Sequence, residues 1–208
     1  MKTSNPIVNK LVKRIRGHGR GAVFSSSNFM GLGNRAALDQ ALSRLVKQKL
    51  IRRLAPGLYH YPRINPKLGG VINPLPDAVA KAVARKTGNR IIPSGAIAAN
   101  VLGLSMQVST KAIYLIDGQP RKVCFGSQTI VFRAAAPRTM AVSGRVSAIV
   151  FQALRHIGRD SITDSVVRQL RRSLSAKDRQ TLRKDIPLAV EWMKPILKKI
   201  VSAKGVNE

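Results

Sequence analysis

The chain has 208 residues, 44% of them hydrophobic, enough for one large or two small domains with buried cores and too apolar for a disordered segment. It carries 37 Lys+Arg against 9 Asp+Glu, a formal net charge of +28. That imbalance points to a polyanionic partner, because so charged a body repels itself and attracts phosphate backbones. A single cysteine, Cys124, excludes an intramolecular disulfide, and with three histidines it cannot build a cysteine-rich zinc site.

The N-terminal stretch interrupts its apolar positions with Lys and Arg, unlike a signal peptide, and no apolar run is long enough to cross a bilayer. A cytoplasmic protein without a membrane partner is the expectation. Asn5 can cap a helix that has Pro6 at its first position, and Ile7, Val8, Leu11, Val12 and Ile15 recur on one face before Gly17-His18-Gly19 stops it. Ala22-Val23-Phe24 is a short apolar stretch. Ser25, Ser26 or Ser27 can then cap a brief second helix, and Gly31-Leu32-Gly33 reads as a turn. Asn34 caps a third helix over about Arg35–Lys49 with Leu38, Ala41, Leu42 and Leu45 facing inward. Two short strands, Leu50–Leu54 and Leu58–Tyr61, follow, joined by Ala55-Pro56-Gly57. Three helices and then a β-hairpin is the order of a winged helix-turn-helix.

The predicted division is a DNA-binding domain over 1–63, a Pro/Gly-rich linker over 64–74, and a mixed domain over 75–208. The first part holds 13 Lys+Arg and one acid, Asp39, and is the denser cation. The second part begins with a helix over Pro76–Lys86 and a brief strand at Ile91-Ile92, after which Ser94 caps a small-residue helix. Three strands over Lys111–Ile116, Arg121–Phe125 and Thr129–Ala134 come next, turned at Asp117-Gly118 and Gly126-Ser127. Helices over about 145–157, 161–173, 176–185 and 188–202 close the chain, with a capping box from Ser175 to Asp178, Pro187 opening the last helix and Pro195 kinking it. The fold class expected is α+β: a winged helix-turn-helix, then a small antiparallel sheet and a C-terminal helical bundle.

At 100° per residue, the outward face of the third helix carries Ala36, Gln40, Ser43 and Lys47, flanked by Asp39 and Arg44. In a recognition helix these side chains enter the major groove, where Gln reads adenine, Arg reads guanine and Ala touches a thymine methyl. Asp39 either accepts from cytosine N4 or orients a neighbouring Arg. The competing reading is an ordinary solvated helix face. Ser26, with Asn34 and Arg35 at the helix start, completes the candidate set. Arg52 and Arg53 project to opposite faces of the wing, so at most one addresses a given groove, and Gly57 lets the tip approach DNA closely. Lys10, Lys13, Arg14 and Arg20 suit phosphate contacts, which orient without selecting sequence. The basic pairs Arg171-Arg172, Arg183-Lys184 and Lys198-Lys199 read as solvated helix faces or as a second polyanion surface.

Aromatic content is 4%, without a ladder of rings for stacking single strands, so duplex DNA is favoured over RNA. No acid–base or metal constellation can be assembled, so neither an enzyme nor a cofactor is expected. Asp160 and Asp164 suit a helix start, Gly126-Ser127 a tight turn, and Cys124, between apolar neighbours, a buried inert position.

The segment ending LVKQKLIRRLAPGLYHYP, and IIPSGAIAANVLGLSMQ after it, resemble the AbiEi-like antitoxins of bacterial type IV toxin–antitoxin systems, in their short transcriptional-regulator branch. The resemblance implies an autorepressor that binds inverted repeats in its own promoter, as a monomer in solution or as two copies on DNA. It also implies a nucleotidyltransferase-type toxin as partner, opposed by the C-terminal domain. The Asp-x-Asp motif of such a toxin is missing here. A stand-alone winged-helix regulator without a toxin reads the same, and a basic RNA- or ribosome-associated protein is the alternative that +28 also suits.

Overall fold

A computed structural model describes residues 6–68, 70–106, 111–142 and 144–202. It is an α+β chain with small antiparallel sheets, and it divides into two compact units: residues up to Asn89 with Lys122–Ile130, and Arg90–Arg121 with Val131 onward. The division therefore falls after the helix at 76–87, not before it as the 1–63, 64–74 and 75–208 scheme has it.

The first unit opens with helix α1 (Pro6–Gly17), strand β1 (Val23–Phe24), a 3-10 helix (Ser26–Leu32) and helix α2 (Arg35–Lys47). The expected Asn5 cap lies outside the described residues. Ser25 precedes the 3-10 helix, its backbone N–H donating to Asn28 Oδ1 at 2.9 Å. Ser, Asn and Gly in this segment favour local hydrogen bonds over an α-helical ladder, so the second helix forms as tight 3-10 turns. Asn34 does cap α2, accepting from the Ala37 N–H at 2.9 Å.

α2 stops at Lys47, two residues short of expectation, in a Schellman closure: Leu50 N–H reaches Leu45 O at 3.1 Å and Lys49 N–H reaches Val46 O at 2.9 Å. Lys49 takes the left-handed position at φ 58°, where glycine is usual. Strands β2 (Arg52–Ala55) and β3 (Leu58–His60) form a hairpin whose Pro56-Gly57 turn has Gly57 at φ +68°, as a type II turn requires. β3 is central in the order β1-β3-β2. One face of this sheet joins α1, the 3-10 helix and α2 in a core of Leu11, Ile15, Phe24, Phe29, Leu38, Leu42, Leu45 and Tyr59. Each such buried side chain contributes about 1.5–3 kcal/mol.

The 64–74 stretch is not a bare linker. Strands β4 (Arg63–Asn65) and β5 (Gly70–Ile72) pair antiparallel within it, and helix α3 (Pro76–Thr87) follows and packs on β1.

A four-stranded sheet comprises β6 (Ile91–Ser94), β7 (Lys111–Ile116), β8 (Arg121–Phe125) and β9 (Gln128–Ala134), ordered β6-β7-β9-β8. Ser94 ends β6 and does not cap α4 (Ala96–Val101), whose N-cap is Gly95; the Ser94 hydroxyl donates to Gln152 Oε1 at 3.1 Å. Cys124 is exposed rather than buried, because strand alternation sends it to the face opposite Val123 and Phe125.

The remaining helices are α5 (Pro137–Met140), α6 (Arg145–Ile157), α7 (Asp164–Ser173), α8 (Ala176–Asp185) and α9 (Lys194–Val201). α7 starts at Asp164, with Arg159–Ser161 forming a separate 3-10 turn. The Ser175–Asp178 capping box is present. The helix expected over 188–202 is broken into 3-10 turns at Ile186–Leu188 and Glu191–Met193 before α9. Pro195 has no N–H for a mid-helix bond, so the helix restarts with it in the first turn, where none is needed. Val190, expected inside, is exposed between those turns, whereas Leu170, Leu174, Leu182, Met193, Leu197 and Ile200 are buried.

Candidate nucleic-acid interface

The α2 core contacts dictate what its other face presents. With Leu38, Ala41, Leu42 and Leu45 buried, Arg35, Ala36, Asp39, Gln40, Arg44 and Lys47 are exposed and Ser43 is half-buried. Asp39 Oδ2 lies 3.7 Å from Arg35 Nε, an exposed ion pair one turn apart on α2. Asn34 is exposed but commits its side-chain oxygen to the cap. Ser26 does not join this face: its side chain is buried as the 3-10 helix begins, and Ser27 is the exposed serine there.

The two hairpin arginines separate as strand alternation demands. Arg52 turns to the face of β3 that carries His60, donating from Nε to His60 Nδ1 at 3.1 Å and from Nη2 to Asn73 Oδ1 at 2.5 Å. Arg53 is exposed, with its guanidinium 5.6 Å over the Tyr59 ring and Nη2 3.4 Å from the Tyr59 hydroxyl. Arg53 is therefore the hairpin cation open to a partner, and Arg52 is held by the fold.

At the hairpin tip, Lys86 of α3 donates from Nζ to Pro56 O at 2.8 Å. A Cβ on Gly57 would come within 2.6 Å of that same nitrogen, so the close approach expected at Gly57 is made by Lys86. Sequence reasoning missed Lys86: thirty residues separate it from Pro56, and no spacing rule connects a helix C-terminus to a distant turn. Lys10, Lys13 and Arg14 are exposed on α1. Arg20 is exposed as well; it donates to Pro62 O at 3.1 Å and lies 5.1 Å over the Tyr61 ring.

Only Asp39 and Asp77 oppose these cations in the chain up to Asn89, and Asp77 pairs with Lys81. The α2 face thus keeps an excess of positive charge at the range over which salt screens exposed groups, about 8–10 Å. His60 is fully buried; burial first, and the Arg52 charge second, push its pKa down to about 4. It is neutral at physiological pH, with Nδ1 as acceptor and Nε2 carrying the proton. Among the described residues no three His, Cys, Asp or Glu gather to hold a metal ion, and no helix is long and apolar enough to cross a membrane.

A family model described as a family of unknown function, DUF6088, matches residues 10–182. No curated protein and no solved structure matches the chain.

Proposed function

We propose that this chain, which belongs to the DUF6088 family, is a duplex-DNA-binding transcriptional autorepressor whose N-terminal part acts as a winged helix-turn-helix. The observation that carries the reading is the exposed face of α2, where Gln40, Arg44 and Lys47 stand clear of the core and Arg35 pairs with Asp39. In this reading α2 enters the major groove. Gln40 reads adenine through N6 and N7, Arg44 reads guanine through O6 and N7, Ala36 meets a thymine methyl, and Ser43 and Lys47 take flanking phosphates. Arg53 and Lys86 extend the contact along the hairpin, and Lys10, Lys13 and Arg14 hold the backbone. Two copies on an inverted repeat would double the site without a stable dimer in solution.

The antitoxin part of the proposal, with a nucleotidyltransferase-type toxin as partner, is supported by the resemblance of the Leu50–Tyr61 and Ser94–Ser105 stretches to AbiEi-like proteins.

The test is Arg44→Ala with Lys47→Ala, measured on duplex DNA from just upstream of the reading frame. A base-reading arginine contributes about 1–3 kcal/mol, so affinity should fall at least ~10-fold with the fold intact. Undiminished affinity would remove α2 from the interface and end the proposal.

A further inference from the structure

In the second unit, four arginines converge on one cleft. Arg171 and Arg172 come from the last turn of α7, and Arg179 and Arg183 from α8. With Gln180 and Ser202 they line a cleft of about 450 Å³, and its described lining residues include no carboxylate. Such a concentration of guanidinium groups is self-repelling, yet three of the four are pinned. Arg179 Nη1 donates to Arg171 O at 3.1 Å and Leu174 O at 2.8 Å, Arg183 Nη2 to Val201 O at 2.9 Å, and Arg171 Nη2 to Ser202 O at 3.0 Å. These bonds hold the guanidinium planes in place, so less side-chain entropy is lost when an anion arrives.

Asp164 lies in an adjoining groove that shares Arg171 and Arg172, and its Oδ1 is 3.7 Å from Lys199 Nζ. Four guanidinium groups therefore face one cleft with no carboxylate among its described lining residues. No aromatic side chain lines the cleft, so it offers a nucleobase no stacking platform. The geometry points to a site for a small, multiply charged phosphate anion, namely a pyrophosphate or the phosphate end of a phosphorylated metabolite, bound by bidentate guanidinium forks. The cleft is built from residues other than those of α2 and does not depend on the DNA-binding reading.

The test is calorimetric titration of the full chain with pyrophosphate at physiological salt. The expected result is saturable single-site binding that weakens at least ~10-fold in Arg172→Glu, an exposed position whose reversal leaves the pinning bonds intact. Lys122→Glu, which changes net charge equally from an exposed strand position, should stay within about twofold. Arg183→Ala supplies a second variant, with a thermal melt to confirm its fold. Absence of saturable binding, or equal weakening by both reversals, would overturn the site. The titration is repeated with saturating short duplex DNA. Unchanged pyrophosphate affinity supports a free-anion site, whereas displacement would assign these arginines to backbone phosphates and overturn the proposal.

Discussion

Arg52 and His60 face each other across β2 and β3 as directly opposed residues, and the Arg52 Nε–H donates to His60 Nδ1 at 3.1 Å. This contact needs a neutral imidazole, since the protonated ring would have no acceptor and would place two cations together inside the sheet. His60 is 0% exposed and its Nε2 finds no hydrogen-bond partner, so the ring is held between burial and one arginine.

A pH dependence of stability follows. The pKa of His60 is lowered to about 4 in the folded chain, so between its ordinary value of 6.5 and 4 the unfolded state binds more protons. The contribution is intact above pH ~6.5 and lost as pH falls through that window, by about 2 kcal/mol between pH 7 and 5. Urea midpoints at the two pH values check this. His60→Gln should flatten the slope, and an equal slope in the variant would place the titration elsewhere.

The neighbouring arginines are expected to part company on mutation. Arg52→Ala removes the donor to buried His60 and to Asn73, and should cost about 1–3 kcal/mol of stability. Arg53→Ala removes an exposed cation resting on Tyr59, and should cost under about 1 kcal/mol while weakening duplex binding. Paired denaturation and binding curves separate the two, and the reverse pattern would reassign them.

Much of this unit was readable in the sequence because its signals are local. Asn34 before an apolar 3.6-residue period gives α2, and Pro56-Gly57 between short apolar runs gives the hairpin. Local signals also misled. Of the three serines Ser25 does cap the short helix, but Ser26, a candidate for DNA contact, is buried, and apolar neighbours made Cys124 look interior although a strand sends them to the other face. Lys86 over Gly57, Arg52 on His60 and the four-arginine cleft depend on tertiary contacts that no periodicity encodes.

Lys49 is the non-glycine residue with positive φ among those described, at 58° in the α2 closure. A left-handed side chain costs about 1–2 kcal/mol, so Lys49→Gly should stabilise the chain by about 1 kcal/mol, raising Tm by roughly 2–4 °C. A calorimetric melt measures it; a lower Tm would mean that the Lys49 side chain is held by contacts worth more than the strain.

Asp185, 3% exposed at the end of α8, accepts the Gly144 N–H at 3.1 Å and so closes the N-terminus of α6. Asp185→Ala should cost about 1–3 kcal/mol by orphaning that donor. Gly144→Ala should also destabilise, because a Cβ there would stand 2.6 Å from Ser147 Oγ and 2.7 Å from Thr181 Cγ2. Chemical denaturation of both variants tests the joint, and wild-type stability in either would show that it gives way freely.

If the α2 face reads a duplex, the charge of +28 does not act alone. The most direct test of that reading is a mobility shift on the DNA upstream of the reading frame, at two salt concentrations, with unrelated duplex and structured RNA as competitors. The upstream complex should survive both competitors at the higher salt, because base contacts persist while counterion release loses its driving force. Equal loss of the complex to every competitor would contradict it, leaving generic polyanion affinity in place of recognition.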